Sequence, residues 1–326
     1  MPDPLSALPT RARRAGLWGG AALAAGLATL PWWADASTMR LMVEAACLLV
    51  LAQMWNLLAG YGGLVSVGQQ AYVGLGGYTL VVLADYAGLN PFLCVPLGGL
   101  VAVLAAVPVS RIAFRLQGGY FAIGTWVIAE VFRLAVANAS VLGGGSGQSL
   151  IAMRAYPKEL RESLTYWIAL ALLVAVMAGL YWLLRSRHGL ALSALRDSEV
   201  AAESQGINVA ATKFMVYTVA AFGGGCAGAL YFLMNLRISP DAAFGVNWSA
   251  FTIFIVVIGG TGTLEGPVVG TLLFFLLRET LADHGTWYLI VIGLVAVTTM
   301  LGCPQGLWGW VARRLDLSFF PLRRRI

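Results

Sequence analysis

The chain of 326 residues is 59% hydrophobic and only 11% charged. Soluble domains carry about 25% charged residues, because one face of every element must meet water, so a soluble globular enzyme is excluded and the bilayer becomes the solvent. The net charge of +6 gives no case for nucleic acid as a partner, since the basic residues stand in short groups beside apolar runs, as membrane anchoring requires.

A crossing helix needs about 20 mostly apolar residues. In chain order the apolar runs predict spans at 15–34, 41–59, 66–86, 92–112, 119–137, 164–184, 213–235, 248–261, 266–281 and 286–303. The expected fold is an all-α polytopic bundle of about ten spans, within a range of eight to ten, with broken or re-entrant segments. It forms one transmembrane domain over 1–326, with the bundle at 14–310 and a basic tail at 311–326. At the N-terminus, Arg11, Arg13 and Arg14 precede the first run, and Ala34-Asp35-Ala36 is similar to a signal-peptidase site. The apolar stretch 17–33 is long for a signal core, which favours an uncleaved first span.

With the N-terminus in the cytoplasm and ten alternating spans, fourteen of the 21 Lys and Arg residues fall inside, among them Arg111, Arg115, Arg185, Arg187, Arg196 and Lys213. Both termini are then cytoplasmic. Two loops stand out by length, an external one at about 138–163 that opens with Gly143-Gly144-Gly145-Ser146-Gly147 and a cytoplasmic one at 185–212.

Glycines interrupt two of the apolar runs. The first break is Gly60-Tyr61-Gly62-Gly63-Leu64-Val65-Ser66-Val67-Gly68-Gln69-Gln70, and the second is 259–267, with Gly260, Thr261, Glu265 and Pro267. Irregular backbone at membrane depth is tolerated only against protein or a water-filled cavity. Ser66, Gln69 and Gln70, with Tyr78, Thr125, Gly260 and Thr261, are candidates to line a pathway for a polar solute through uncharged groups. Glycine-mediated helix packing is the alternative use of the same residues.

Charges inside spans are few. Glu130 and Arg133 lie three residues apart on one helix face and are expected to pair and orient the helix. A proton or substrate relay is the alternative. Glu44 follows Arg40 by four residues and the same pairing is expected there. Cys47, Cys94, Cys226 and Cys303 are scattered through apolar stretches with no CxxC spacing, which gives neither a metal site nor a disulfide framework. His188 and His284 are isolated, and GxxxxGK[ST], HExxH and GxSxG do not occur. No enzyme is expected and no catalytic residue is identified.

The loop 192–208 reads as a short helix, with Ser193 able to cap its start and Gly206 able to end it. Arg196, Glu199 and Glu203 then share a face. The helix is either a solvated loop element or a docking element for another subunit.

Taken together, these residues bear a family resemblance. The stretch Ala194-Leu195-Arg196-Asp197 through Gly206-Ile207-Asn208-Val209 resembles the loop by which ATP-binding-cassette import permeases contact their ATPase. Leu57 through Gly68, Gly74-Leu75-Gly76-Gly77-Tyr78, Gly119 through Thr125, Ala227 through Tyr231, Ser239-Pro240-Asp241, Val257 through Thr263 with Gly266-Pro267, and Pro304 through Leu307 are similar to the LivM-type permeases of branched-chain amino-acid importers. The ordered set covers roughly 41–310.

The resemblance implies an inner-membrane import permease for branched-chain amino acids, or for urea, amides or other small polar solutes. It implies a second permease subunit of related sequence, two ATP-binding subunits and an extracytoplasmic solute-binding protein. ATP and Mg would be used by those ATPase subunits, with no cofactor on this chain. Arg196, Asp197, Glu199, Ala201, Ala202, Glu203 and Gly206 would form the ATPase coupling segment. The sequence departs from the family's pattern at Gln69, where His is frequent, at Glu199-Val200, where the acid is expected at 200, and at Gly147, where Asp is frequent. An ion-coupled transporter built on Glu130 and a non-transporting scaffold are the rival classes.

Overall fold

A computed structural model describes residues 26–281, 287–303 and 305–315. The predicted first span and His284 fall largely or wholly outside these residues. The described chain is helical apart from one two-stranded ribbon, as an apolar solvent demands of the backbone.

Asp35, at the head of the first long helix, accepts hydrogen bonds from the Ser37 and Thr38 hydroxyls, which hold its carboxyl down at about 2. From there α1 runs Ala36–Asn56 and continues through a π-helical turn, Leu57–Tyr61. After an irregular stretch at 63–68 comes α2, Gln69–Val81, itself prolonged by a π turn to Tyr86. Next are α3, Cys94–Ala113, and α4, Gly119–Ala137. The helix α5, Lys158–Arg185, leads to α6, Arg187–Asp197, and α7, Glu199–Ser204. The chain then passes through α8, Val209–Asn235, the short α9, Pro240–Phe244, and α10, Asn247–Gly259. Last come α11, Gly266–Leu281, α12, Trp287–Gly302, and α13, Gly306–Leu315.

Among the described residues six helices are long and apolar enough to cross a bilayer: Ala36–Tyr61, α3, α4, α5, α8 and Pro240–Gly259. The predicted span 66–86 begins its helix only at Gln69, since Gly68 and the glycines before it interrupt the apolar run. The predicted span 164–184 begins six residues early, at Lys158. At 28 residues α5 is about 42 Å long, against a hydrocarbon core of about 30 Å, so it projects beyond the apolar slab.

The centre of the bundle is α8, packed on α1, α2 and α3. Its Gly223-Gly224-Gly225 run lets backbones touch, because a Cβ on Gly225 would lie 2.6 Å from the Gly98 carbonyl oxygen of α3, and one on Gly98 would lie 3.0 Å from that of Gly76 in α2. Small residues at a three-helix meeting are how membrane helices gain dispersion contact where lipid offers no hydrophobic drive. Cys47, Cys94 and Cys226 are buried in this region as small apolar groups.

The two ends of the bundle are built differently. At one end lie the close of α1, the pair α6 and α7, the turn between α10 and α11, and the start of α13. At the other, the segment between α4 and α5 folds over. Its β1, Gln148–Ser149, pairs antiparallel with β2, Arg237–Ile238, which follows α8. Asp85, ending α2, accepts from the backbone N–H of Ile151 and Ala152 and anchors the same segment. Ser239 caps α9 with Pro240 at its first position, a strong helix-start signal.

Ion pairing corrects one expectation. Arg40 and Glu44 do not pair with each other. Arg40 reaches Glu162 of α5 at 3.0 Å, and Glu44 accepts from Arg278 of α11 at 2.7 Å. Both partners come from neighbouring helices, which spacing along one helix cannot reveal. Glu130 and Arg133 do pair, at 2.6 Å, and Arg133 also holds Asp241 of α9 at 2.6 Å, so the expected pair is part of a triad tying α4 to α9.

Candidate functional site

The first break shows what its glycines do. At 63–68 the chain is neither helix nor strand, with Gly63 at φ +69, and burial alternates along it: Leu64, Ser66 and Gly68 are buried, Gly63 and Val65 are exposed and Val67 is half-buried. The polar side chains of this region satisfy the irregular backbone. Thr125 of α4 accepts from Val67 N–H at 3.1 Å, Ser66 Oγ accepts from Gly68 N–H at 3.2 Å, and the Trp55 indole donates to the Ser66 carbonyl at 2.8 Å. In the amide orientation that satisfies both its ends, Gln69 bonds the Leu51 carbonyl (3.3 Å) and Trp55 N–H (3.0 Å) of α1.

The candidate pathway residues are therefore placed as follows. Ser66, Gln69, Gln70 and Thr125 come together around the start of α2, all buried. Gln70 is bonded by the Ser249 hydroxyl of α10, while its amide nitrogen has no protein partner. Tyr78 lies further along α2, stacked on Phe244 with ring centroids 6.0 Å apart, its hydroxyl likewise without a protein partner. Gly260 is buried in the second break and Thr261 is exposed there. The outward residue of the first break is Val65, 49% exposed, which a search for polar lining groups passes over.

The second break closes on the first. Asn56, fully buried near the end of α1, donates to the Thr263 carbonyl at 2.7 Å and accepts from Gly262 N–H at 2.8 Å. Gln53, one turn earlier, donates to the Leu264 carbonyl at 2.7 Å. Gly60 and Gly262 touch through bare backbone: a Cβ on Gly60 would stand 2.6 Å from Gly262 N. Gly262 has φ +74, in the left-handed region that favours glycine. Asn56 and Gln53 were not singled out in the sequence. An amide pair three residues apart at the end of an otherwise apolar helix is the signal that could have found them.

The 185–208 segment is two helices, not one. Ser198, in extended backbone at φ −164, separates them and caps α7 by accepting from Ala201 N–H at 3.3 Å. Ser186 caps α6. Ser193, expected as a cap, lies inside α6 and donates to the Gly189 carbonyl. Gly206 ends the segment as expected, with φ +80. Because of the interruption, Arg196 does not share a helix face with Glu199 and Glu203. Arg196 instead donates to the Gly60 carbonyl at 3.0 Å, and its Nε is 3.8 Å from Asp197. Glu199 pairs with Lys213 of α8 at 2.5 Å, and Glu203 is exposed. Ala202 is buried with Leu195 and Val209 in a small apolar cluster, while Val200 and Ala201 point outward, Val200 being 76% exposed. Among the described residues no His, Cys, Asp and Glu cluster could hold a metal ion.

Residues 37–300 match the family model described as a branched-chain amino acid transport system permease component. The chain is 28% identical over 314 residues to the high-affinity branched-chain amino acid transport system permease protein LivM of Escherichia coli K12, covering 88% of this chain and 74% of that one. It is 26% identical over 236 residues to a probable branched-chain amino acid transport permease protein LivM of Methanocaldococcus jannaschii, covering 68% of each. A shorter similarity, 32% over 132 residues and 38% of each chain, links it to the fructose import permease protein FruG of Bifidobacterium longum. No solved structure gives a significant match. With most of its length inside the family model and with multiple membrane-length helices, this multi-pass membrane protein belongs to the branched-chain amino acid transport system permease components.

Proposed function

We propose that the chain is the permease subunit of an ATP-binding-cassette importer and lines half of a translocation pathway for branched-chain or related amino acids. The observation that carries this reading is the irregular stretch 63–68. Its backbone is irregular within an apolar bundle, yet Gly63 and Val65 face outward. Hydrocarbon would leave such backbone unsatisfied, so that face belongs against a water-filled path or another protein chain. The flanking α4 offers Ile123 and Trp126 outward, apolar groups suited to an aliphatic side chain.

The partners in this reading are a second permease of related sequence, two ATP-binding subunits that use ATP and Mg, and an extracytoplasmic solute-binding protein. This chain carries no cofactor. In this reading the predicted first span and the shorter helices α2, α11 and α12 also cross, making ten crossings of an inner membrane with both termini cytoplasmic. The end bearing α6 and α7 is then cytoplasmic, and these helices are the segment that docks on an ATPase. The ribbon of β1 and β2 lies outside, where a solute-binding protein would arrive.

The test is Val65→Cys in the reconstituted transporter, in a background without the four native cysteines. A water-soluble maleimide should label it, and the rate should change with nucleotide or solute. Labelling only by membrane-soluble reagents would refute a pathway at this position. A second reading, import of another small polar solute, is favoured by the partial similarity to a fructose import permease. Competition of leucine, urea and fructose for uptake separates the two.

A further inference from the structure

The two chain breaks and the segment proposed to dock on the ATPase meet at one side chain. Arg196, the penultimate residue of α6, donates to the Gly60 carbonyl at 3.0 Å, across 136 positions of sequence. Its Nη1 lies 3.2 Å from where a Cβ on Gly262 would stand, and its Cα lies 3.6 Å from where one on Gly63 would stand. Thus one guanidinium touches both breaks, at the point where Gly60 and Gly262 already pack backbone on backbone and Asn56 bonds Gly262 and Thr263.

We propose that Arg196 is a positioning residue that grips both chain breaks from α6, so that a displacement of the docking segment moves Gly60 and Gly262 together. The inference rests on the docking reading above, and it gives Arg196 a role different from contact with the ATPase. The chemistry suits the task. A guanidinium is a permanent cation with several donors in a fixed plane, and its bond to a carbonyl is charge-assisted. The Gly60 carbonyl is its acceptor, Gly262 leaves room for the guanidinium to lie against the second break, and Gly63 lets the Arg196 backbone come close to the first. A displacement of α6 cannot occur without either moving the breaks or breaking this bond.

The experiment uses the full transporter reconstituted in liposomes, with three readouts: co-purification of the ATPase subunits, ATP hydrolysis and solute uptake. Arg196→Gln should still co-purify and should hydrolyse ATP within about twofold of the parent, while uptake falls about tenfold or more, the size expected when one charge-assisted hydrogen bond is lost from only one of two conformations. Gly262→Ala, which pushes on the guanidinium from the other side, should show the same excess of hydrolysis over uptake with Arg196 intact. Arg196→Lys should recover part of the uptake.

Loss of co-purification and hydrolysis in proportion to uptake would make Arg196 an ATPase contact and overturn the proposal, and so would unchanged uptake. If none of the three variants reaches the membrane folded, Arg196 serves folding alone and the proposal fails as well. Val200→Asp keeps the two ideas apart, because it alters only the outward face of α7. If it leaves co-purification and hydrolysis intact, the docking reading is what has failed, whatever the Arg196 variants do.

Discussion

Replacing Asn56 by alanine removes the side chain that joins the two breaks. The Gly262 N–H and the Thr263 carbonyl each lose a partner at 2.7–2.8 Å. An orphaned buried group costs about 1–3 kcal/mol. Both residues are half-buried rather than buried, so water recovers part of the loss, and a destabilisation of about 2–4 kcal/mol is expected. Gln53→Leu provides the contrast. It orphans the Leu264 carbonyl, but it also removes the Gln53 Oε1 that has no partner in the native structure. These effects oppose each other, and a change within about 1 kcal/mol is expected. Unfolding in mixed micelles can be followed with a thiol-reactive dye, since Cys47, Cys94 and Cys226 are buried and react only on opening. Asn56→Ala no less stable than Gln53→Leu would refute the argument that the amide holds the breaks together.

Glu44→Arg and Arg278→Glu should each lower the folded yield, and the double exchange should restore it, giving a coupling of about 1 kcal/mol or more in a double-mutant cycle; additive effects would show that the 2.7 Å pair contributes nothing. Gly206→Pro cannot keep φ at +80, because proline is held near −65°; the chain should still insert while ATP-coupled uptake disappears, and normal uptake would remove the turn from the coupling path. Glu130→Gln should leave both folded yield and uptake close to the parent, because Glu130 is 42% exposed and Arg133 keeps Asp241. Normal yield with lost uptake would instead assign Glu130 to a relay.

Much of this design was legible in the amino-acid sequence where a residue type had few other uses. Glycines inside apolar runs at 60–68 and 259–267 have little purpose except to break a helix or admit a close neighbour, and here they do both. What could not be read was that the two breaks meet. Asn56 and Gly262 are 206 positions apart, and neither carries a local mark of the other. Capping gave a mixed result for a similar reason. Ser193 and Ser198 are both competent caps, but Ser186 had already started α6, which left Ser193 inside a helix and made Ser198 the start of the next. The Arg40–Glu44 expectation failed because helical spacing establishes only that two side chains can meet, whereas Glu162 and Arg278 approach from other helices with better geometry. The exposed side chain of the first break, Val65, escapes a search guided by the idea that a polar pathway needs polar lining. Burial alternates along 63–68 with no regular element to announce it, and Ser66 falls on the inward side.

The ribbon of β1 and β2 has a consequence for how this surface can evolve. Gln148–Ser149 and Arg237–Ile238 are joined through main-chain bonds, and Asp85 clasps the neighbouring segment by its amides. The shape of that end is thus fixed by groups every amino acid possesses. Side chains on its solvent side, such as Ser149 and Arg237, can be exchanged without redrawing the frame beneath them. If this face meets a solute-binding protein as proposed, a lineage adapting to a different companion could alter those few positions one at a time and keep the same helix bundle.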